Sequence, residues 1–400
     1  MFTDQQMENY ADVLLWGLRT ARLEHYKKGD VILVRFDPSA LRMAEVVQRK
    51  CLEWGMQVVV RMTYTTTMEK QFFEIANNSQ LKFVAPGDRE LYRNIHGSIY
   101  LHAPDSLTHL SHIESSRIGK SAVARKPLRD ILDKREQKGV FGWTLGIVPT
   151  GELASQARTT LEEYTEQVVR ACFLDDDDPV AQWDRVFTEA GRVKKWLNGL
   201  DVEKLHVESA NTDLWVIPGA DRRWIGISGH NIPSFEVFLS PDWRGTSGVY
   251  YADQPSFRNG NYVEGVRLEF RKGEVVDVRA EQGADFVKSQ VRMDTGAKRV
   301  GEFSLTDRRF SRIDRFMANT LFDENYGGAY GNCHLAVGSS YADTYAGDQT
   351  TLDEERKKEL GFNDSALHWD LVNTERKTVT AVLGSGDELV IYRDGEFQYE

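Results

Sequence analysis

The chain has 400 residues, too long for one ordinary domain of roughly 100–200 residues, and its 41% hydrophobic and 28% charged content belongs to a folded protein rather than a disordered one. Sixty-one acidic against 50 basic residues give a net charge of −11, which argues against a general nucleic-acid binder, because such proteins need a basic surface to displace counterions. Cys51, Cys172 and Cys333 are too few and too scattered for a disulfide framework or a cysteine zinc site and suit a reducing compartment; no run approaches the roughly 18–20 apolar residues of a membrane span; and the acid-interrupted N-terminal segment does not read as a signal peptide, so a cytoplasmic protein without a membrane or nucleic-acid partner is expected.

In chain order, Tyr10, Val13, Leu14, Leu18 and Ala21 lie at helical spacing. A β-branched run at 31–36 predicts a strand, and Pro38 opens a helix with Leu41, Ala44, Val47 and Leu52 on its inward face. A second strand is expected at 57–62, a third at 96–101 and a fourth at 143–149. Strand–helix–strand order predicts right-handed parallel crossovers, and hence a Rossmann-like α/β domain. The turn after the first strand, Phe36-Asp37-Pro38-Ser39, lacks the glycine fingerprint, so a dinucleotide has no warrant. Leu161, Tyr164, Val168 and Ala171 predict a further helix. The run Asp175–Asp178 before Pro179 reads as the acidic start of another helix, with Trp183, Val186, Val193 and Leu197 on one side, rather than a metal site. From about residue 203, strand-like runs recur at 204–207, 213–217, 262–270 and 274–279. The expected organisation is an α/β domain over 1–200 and a β-rich domain over 201–400.

Nine histidines are present, and His25, His96, His102, His109 and His112 read as surface or structural. His368-Trp369-Asp370 differs: two residues apart in a strand, an imidazole and a carboxylate share one side, a pairing that suits a divalent metal or an ordinary buried hydrogen bond. His334 sits in a glycine-rich run, and Cys333 beside it would point the other way in a strand, into the core. Glu236 and Glu302 each interrupt an apolar run, and such an acid is costly to bury unless paired or bound to a cation. Tyr250, Tyr251 and Trp215 read as core or interface aromatics.

Four ordered blocks resemble the thermophilic-type metallo-aminopeptidases, the aminopeptidase T and aminopeptidase S family. They are Asn231-Ile232-Pro233 with Glu236-Val237-Phe238; Arg299-Val300-Gly301-Glu302; Phe322-Asp323-Glu324-Asn325 leading to His334 and Tyr341; and Ser365-Ala366-Leu367-His368-Trp369-Asp370. The resemblance covers essentially the whole chain and is strongest over 224–372. It implies a β-rich catalytic domain with a two-metal site. Glu236, Glu302, His334, His368 and Asp370 would be ligands, Glu302 would bridge, and Tyr341 would stabilise the transition state. It also implies a homodimer and release of N-terminal residues from short peptides by a metal-activated water. Glu, His and Asp suit Zn, Co, Mn and Mg alike. Ser234-Phe235 stands where the family usually has Asp-Gly, so Phe235 and Trp243 put substrate range in question. Glu324 reads either as a group behind the ligands or as an exposed acid at a helix end. A second reading is a single-iron ring-cleaving dioxygenase of the 2,5-dihydroxypyridine type on His334, His368 and Asp370, which has no need of both Glu236 and Glu302.

Overall fold

In the computed structural model, which describes residues 1–258 and 261–399, local chemistry starts the first helix. The Thr3 hydroxyl accepts from the Gln6 amide (3.2 Å) and the Gln6 side chain accepts from the Thr3 amide (2.9 Å), a reciprocal cap for α1 (Asp4–Thr20). Tyr10, Val13, Leu14 and Leu18 are buried, as their spacing predicts. The strands β1 (Val31–Phe36), β2 (Gln57–Met62), β3 (Gly97–His102) and β4 (Gly142–Ile147) pair in parallel in the order β2-β1-β3-β4, and Asn231–Ile232 adds beyond β4. These elements belong to one compact unit, Met1–Trp183 with Ser228–Pro233.

The helix α2 (Leu41–Glu53) corrects one expectation. Ala44 and Val47 are buried, but Leu41 and Leu52 are each 52% exposed, and Met43 and Cys51 take the inward places. At about 100° per residue, 43, 44, 47 and 51 form one stripe, while 41 and 52, eleven apart, fall together beside it. The glycine-free turn after β1 is held by its acid. Asp37 accepts from the Thr63 hydroxyl (2.7 Å), the Tyr100 hydroxyl (2.9 Å) and the Ala103 amide (2.8 Å), with His102 Nδ1 at 2.8 Å. Parallel sheets offer ligands the crevice beyond their carboxyl ends; here Asp37 fills that place with internal bonds. Of the acidic run, Asp175 accepts from Gln6 Nε2 (2.8 Å) and Asp178 from the Ala181 amide at the start of the helix Pro179–Asn198.

The second unit is Asp184–Ile227 with Ser234–Glu400. Its eight-stranded sheet runs Glu274–Arg279, Val266–Arg271, Ser247–Ala252, Asp213–Val216, Val202–Glu208, Thr378–Leu383, Glu388–Arg393 and Glu396–Phe397, antiparallel throughout. The run expected at 262–270 breaks in two, because Gly265 turns with φ +61° and Glu264 bridges to Gln282 instead. A four-stranded antiparallel sheet is formed by β5 (Glu236–Leu239), β6 (Val300–Thr306), β7 (Asn332–Gly338) and β8 (His368–Asn373), in the order β8-β7-β6-β5. Tyr250 ties the two sheets: its buried hydroxyl donates to the Leu371 carbonyl (2.7 Å) and lies 3.1 Å from the Cys333 carbonyl. Trp215 stacks on His206 at 4.0 Å. The chain is thus a mixed α/β protein of several parts, with one parallel sheet and antiparallel sheets. Among the described residues no helix is long and apolar enough to cross a membrane.

Candidate metal centre

Strand register assembles the site. In an antiparallel sheet alternate residues share a face, and directly paired residues lie side by side on it. Glu302 pairs with Ala336, Ala336 with Asp370, Gly338 with His368, Ser304 with both His334 and Phe238, and Thr306 with Glu236. One face therefore carries Glu236, Phe238, Glu302, Ser304, His334, His368 and Asp370, with Ala336 and Gly338 leaving room between them. The opposite face carries Phe303, Leu305, Cys333, Leu335, Val337, Trp369 and Leu371, all buried. Cys333 thus faces the core, as its place next to His334 predicts. Small residues are required here: a Cβ on Gly338, at φ +111°, would stand 2.1 Å from the Leu367 carbonyl oxygen.

All five expected ligands converge. His334 Nε2 is 3.0 Å from Glu302 Oε1, 3.3 Å from Glu236 Oε2 and 4.0 Å from Asp370 Oδ1. His368 Nε2 is 3.3 Å from Asp370 Oδ1 and 3.6 Å from Glu302 Oε2. Two triads could each hold an ion, Glu236 with Glu302 and His334, and Glu302 with His368 and Asp370; the donor atoms within each lie within 4.8 Å of one another. Glu302 belongs to both. His368 Nδ1 stands 2.9 Å from the Ser339 carbonyl, which fixes the ring and turns Nε2 to the cluster. The His334 side chain is 1% exposed, and among the described residues neither its Nδ1 nor the buried Ser304 hydroxyl beside it has a hydrogen-bond partner.

The charges show that the cluster favours the binding of positive charge. Burial and then the Glu302 charge push Glu236 up to about 8. Burial, then Glu236, Asp370 and Glu302, raise Glu324 well above the usual carboxylate range. Burial pulls the two imidazoles down, but the hydrogen bond and charges of Glu302, Glu236 and Asp370 raise His334 to about 9, and Asp370 and Glu302 raise His368 to about 9. Asp370 is held low despite burial, by His368, His334 and Arg258. Without a cation, protons gather on the imidazoles and Glu236, the response of crowded like charges in a low-dielectric site. Carboxylates and imidazoles are donors that suit a divalent cation.

Around this centre, Glu324 is buried, not an exposed acid at a helix end. It follows the helix Thr320–Asp323, and its main-chain carbonyl accepts from Asn332 Nδ2 at 3.1 Å. Tyr341 stands at the edge, its ring 4.8 Å from His368 and 5.8 Å from Phe238. Desolvation, then Glu302, Asp370, Glu324 and Glu236, lift its phenol well above the ordinary range. Because 44% of the residue is open to solvent, repulsion by the acids is the cause that counts. Phe235 is wholly buried, and the part-exposed Trp243 lies under the Arg299 guanidinium (3.8 Å). Phe238 shares this face because it lies two residues after Glu236 in the strand. The structural histidines have their own acids: Asp37 for His102, Glu69 for His109 and Glu74 for His112.

The family model described as thermophilic metalloprotease (M29) matches residues 3–397. The chain belongs to the M29 metalloprotease family. This M29 protein is 27% identical to aminopeptidase AmpS of Bacillus subtilis over 396 residues, 93% of this chain and 95% of that one. It is 31% identical over 277 residues to aminopeptidase 2 of Geobacillus stearothermophilus, 64% of this chain and 65% of the relative. Its fold is similar to that of wild-type AmpT from Thermus thermophilus, with a TM-score of 0.81 at 22% identity over 98% and 99% of the two chains.

Proposed function

We propose that this M29 protein is a metal-dependent aminopeptidase that releases the first residue of short peptides. The convergence of Glu236, Glu302, His334, His368 and Asp370 on one sheet face carries the reading, and the aminopeptidase names of its relatives support it. Glu236, Glu302 and His334 would hold one divalent ion and Glu302, His368 and Asp370 a second; Zn, Co, Mn and Mg all suit these donors. Two such ions supply a nucleophilic hydroxide at neutral pH and polarise the scissile carbonyl.

The remaining work falls to the protein. Glu302, shared between the triads, keeps both donor sets in register. The Tyr341 phenol, held protonated by the surrounding acids, donates a hydrogen bond to the developing oxyanion. The substrate's free α-amino group would also bind one of the ions, which would confine cleavage to the chain terminus. The residues over 201–400 would form the catalytic domain and the Rossmann-like residues 1–200 its scaffold. The three buried free cysteines suit a cytoplasmic protein, and the family resemblance carries a homodimer. A single-iron dioxygenase on His334, His368 and Asp370 would leave Glu236 and Glu302 idle, and no observation favours it. The test is hydrolysis of leucine p-nitroanilide by chelator-treated protein before and after Zn²⁺ or Co²⁺. Metal-restored release is expected; folded protein that stays inactive with every divalent ion refutes the reading.

A further inference from the structure

Arg258 lies at the end of the short strand Ser256–Arg258, beside the metal-bearing strand β8. Two contacts pin this strand there: Arg258 Nη1 donates to the His368 carbonyl (2.7 Å) and Trp369 Nε1 to the Ser256 hydroxyl (3.1 Å). The guanidinium carbon is 5.6 Å from the Trp369 ring centre, and its charge reaches the Asp370 carboxylate.

Among the described residues, this guanidinium makes a single hydrogen bond, to the His368 carbonyl. A guanidinium carries five N–H donors, and burying them unpaired is costly. Arg222, a comparable inward-facing arginine, spends all three nitrogens on the carbonyls of Ser240 (2.6 Å), Ala220 (3.0 Å) and Leu360 (2.8 Å). Arg309 closes a fork on Asp307 at 2.8 and 2.5 Å. Arg258 makes the one bond to His368, and its Nε is buried with no partner among the described residues. A fixed cation with spare planar donors, next to an acidic catalytic face, is built to receive a carboxylate.

We propose that Arg258 is a specificity-determining residue that docks the C-terminal carboxylate of a dipeptide whose scissile bond lies over the Glu302 cluster. This rests on the aminopeptidase reading. In a dipeptide a single Cα separates the scissile nitrogen from the carboxylate, so both ends of the substrate are fixed at once. The metal centre would take the amine and Arg258 takes the acid. Longer or amidated peptides offer Arg258 only a neutral carbonyl, and charge-assisted bonds are roughly twice as strong as neutral ones.

The experiment compares kcat/KM of the metal-loaded full chain for Leu-Gly and Leu-Gly-amide, with metal content and near-UV circular dichroism measured for every variant. The wild type favours Leu-Gly by about ten-fold or more. Arg258→Met lowers kcat/KM for Leu-Gly by about 10- to 100-fold, chiefly through KM, and brings the preference close to unity. Arg258→Lys recovers part of it and alone carries the test if Arg258→Met does not fold. An unchanged preference in a folded, metal-loaded variant overturns the docking role, as does a wild type that cleaves both substrates equally. A wild type that cleaves neither, nor any p-nitroanilide, overturns the aminopeptidase reading and the docking role together.

Discussion

Replacing Asp37 by asparagine tests how the first unit is held at the carboxyl ends of its strands. The Asp37 side chain is 12% exposed. It collects Thr63, Tyr100 and the Ala103 amide as donors, with His102 beside it. Burial raises its pKa, but these partners, His102 first, lower it from 3.8 to about 2. A shift of about two units corresponds to roughly 2–3 kcal/mol at 1.36 kcal/mol per unit. The sign follows from the depressed folded value: the stabilisation is complete above the unfolded pKa near 4 and disappears as pH falls through about 2. Asparagine keeps the volume but turns an NH₂ toward donors. Urea unfolding of both proteins should therefore show Asp37→Asn about 2 kcal/mol less stable at pH 7, with the gap narrowing below pH 4. A gap below about 0.5 kcal/mol at pH 7, or one of constant size from pH 7 to pH 3, would show that the Asp37 charge does not hold these strands.

Glu302→Gln removes the carboxylate common to both triads; elemental analysis should show fewer than two metals per chain, and p-nitroanilide hydrolysis should fall by about 10³-fold or more. Tyr341→Phe should keep its metals and lower kcat by about 10²–10³-fold, the usual cost of one oxyanion donor; an unchanged kcat removes Tyr341 from the mechanism. Gly338→Ala places a Cβ against the Leu367 carbonyl, so it should lower the melting temperature and weaken metal binding through the displaced His368, both measurable by thermal melts with and without Zn²⁺.

The sequence alone determined the elements whose signal is local. The runs at 31–36 and 57–62 form strands over just those residues, because short β-branched stretches that follow a glycine turn have few other uses. His368-x-Asp370 shares a side because strand side chains alternate, and the same rule sends Cys333 into the core. The proposed ligand set was legible through the ordered blocks of the family, not through any single spacing, since Glu236 and Asp370 are far apart in the chain.

Tertiary structure decided what depends on distant partners. The inward face of α2 rotated away from Leu41 and Leu52 because the packing stripe, not hydrophobicity alone, selects buried positions. Glu324 follows a helix in sequence but is buried within electrostatic reach of Glu236 and Glu302 in space. Phe235 vanished into the core, while Phe238 came to stand beside Tyr341. Arg258 is an ordinary charged residue in the sequence, and only its contact with the His368 carbonyl brings it beside the face that carries Glu302 and Asp370. Burial and electrostatic coupling are sums over neighbours from the whole chain, so they become defined once the register of β5 to β8 is set.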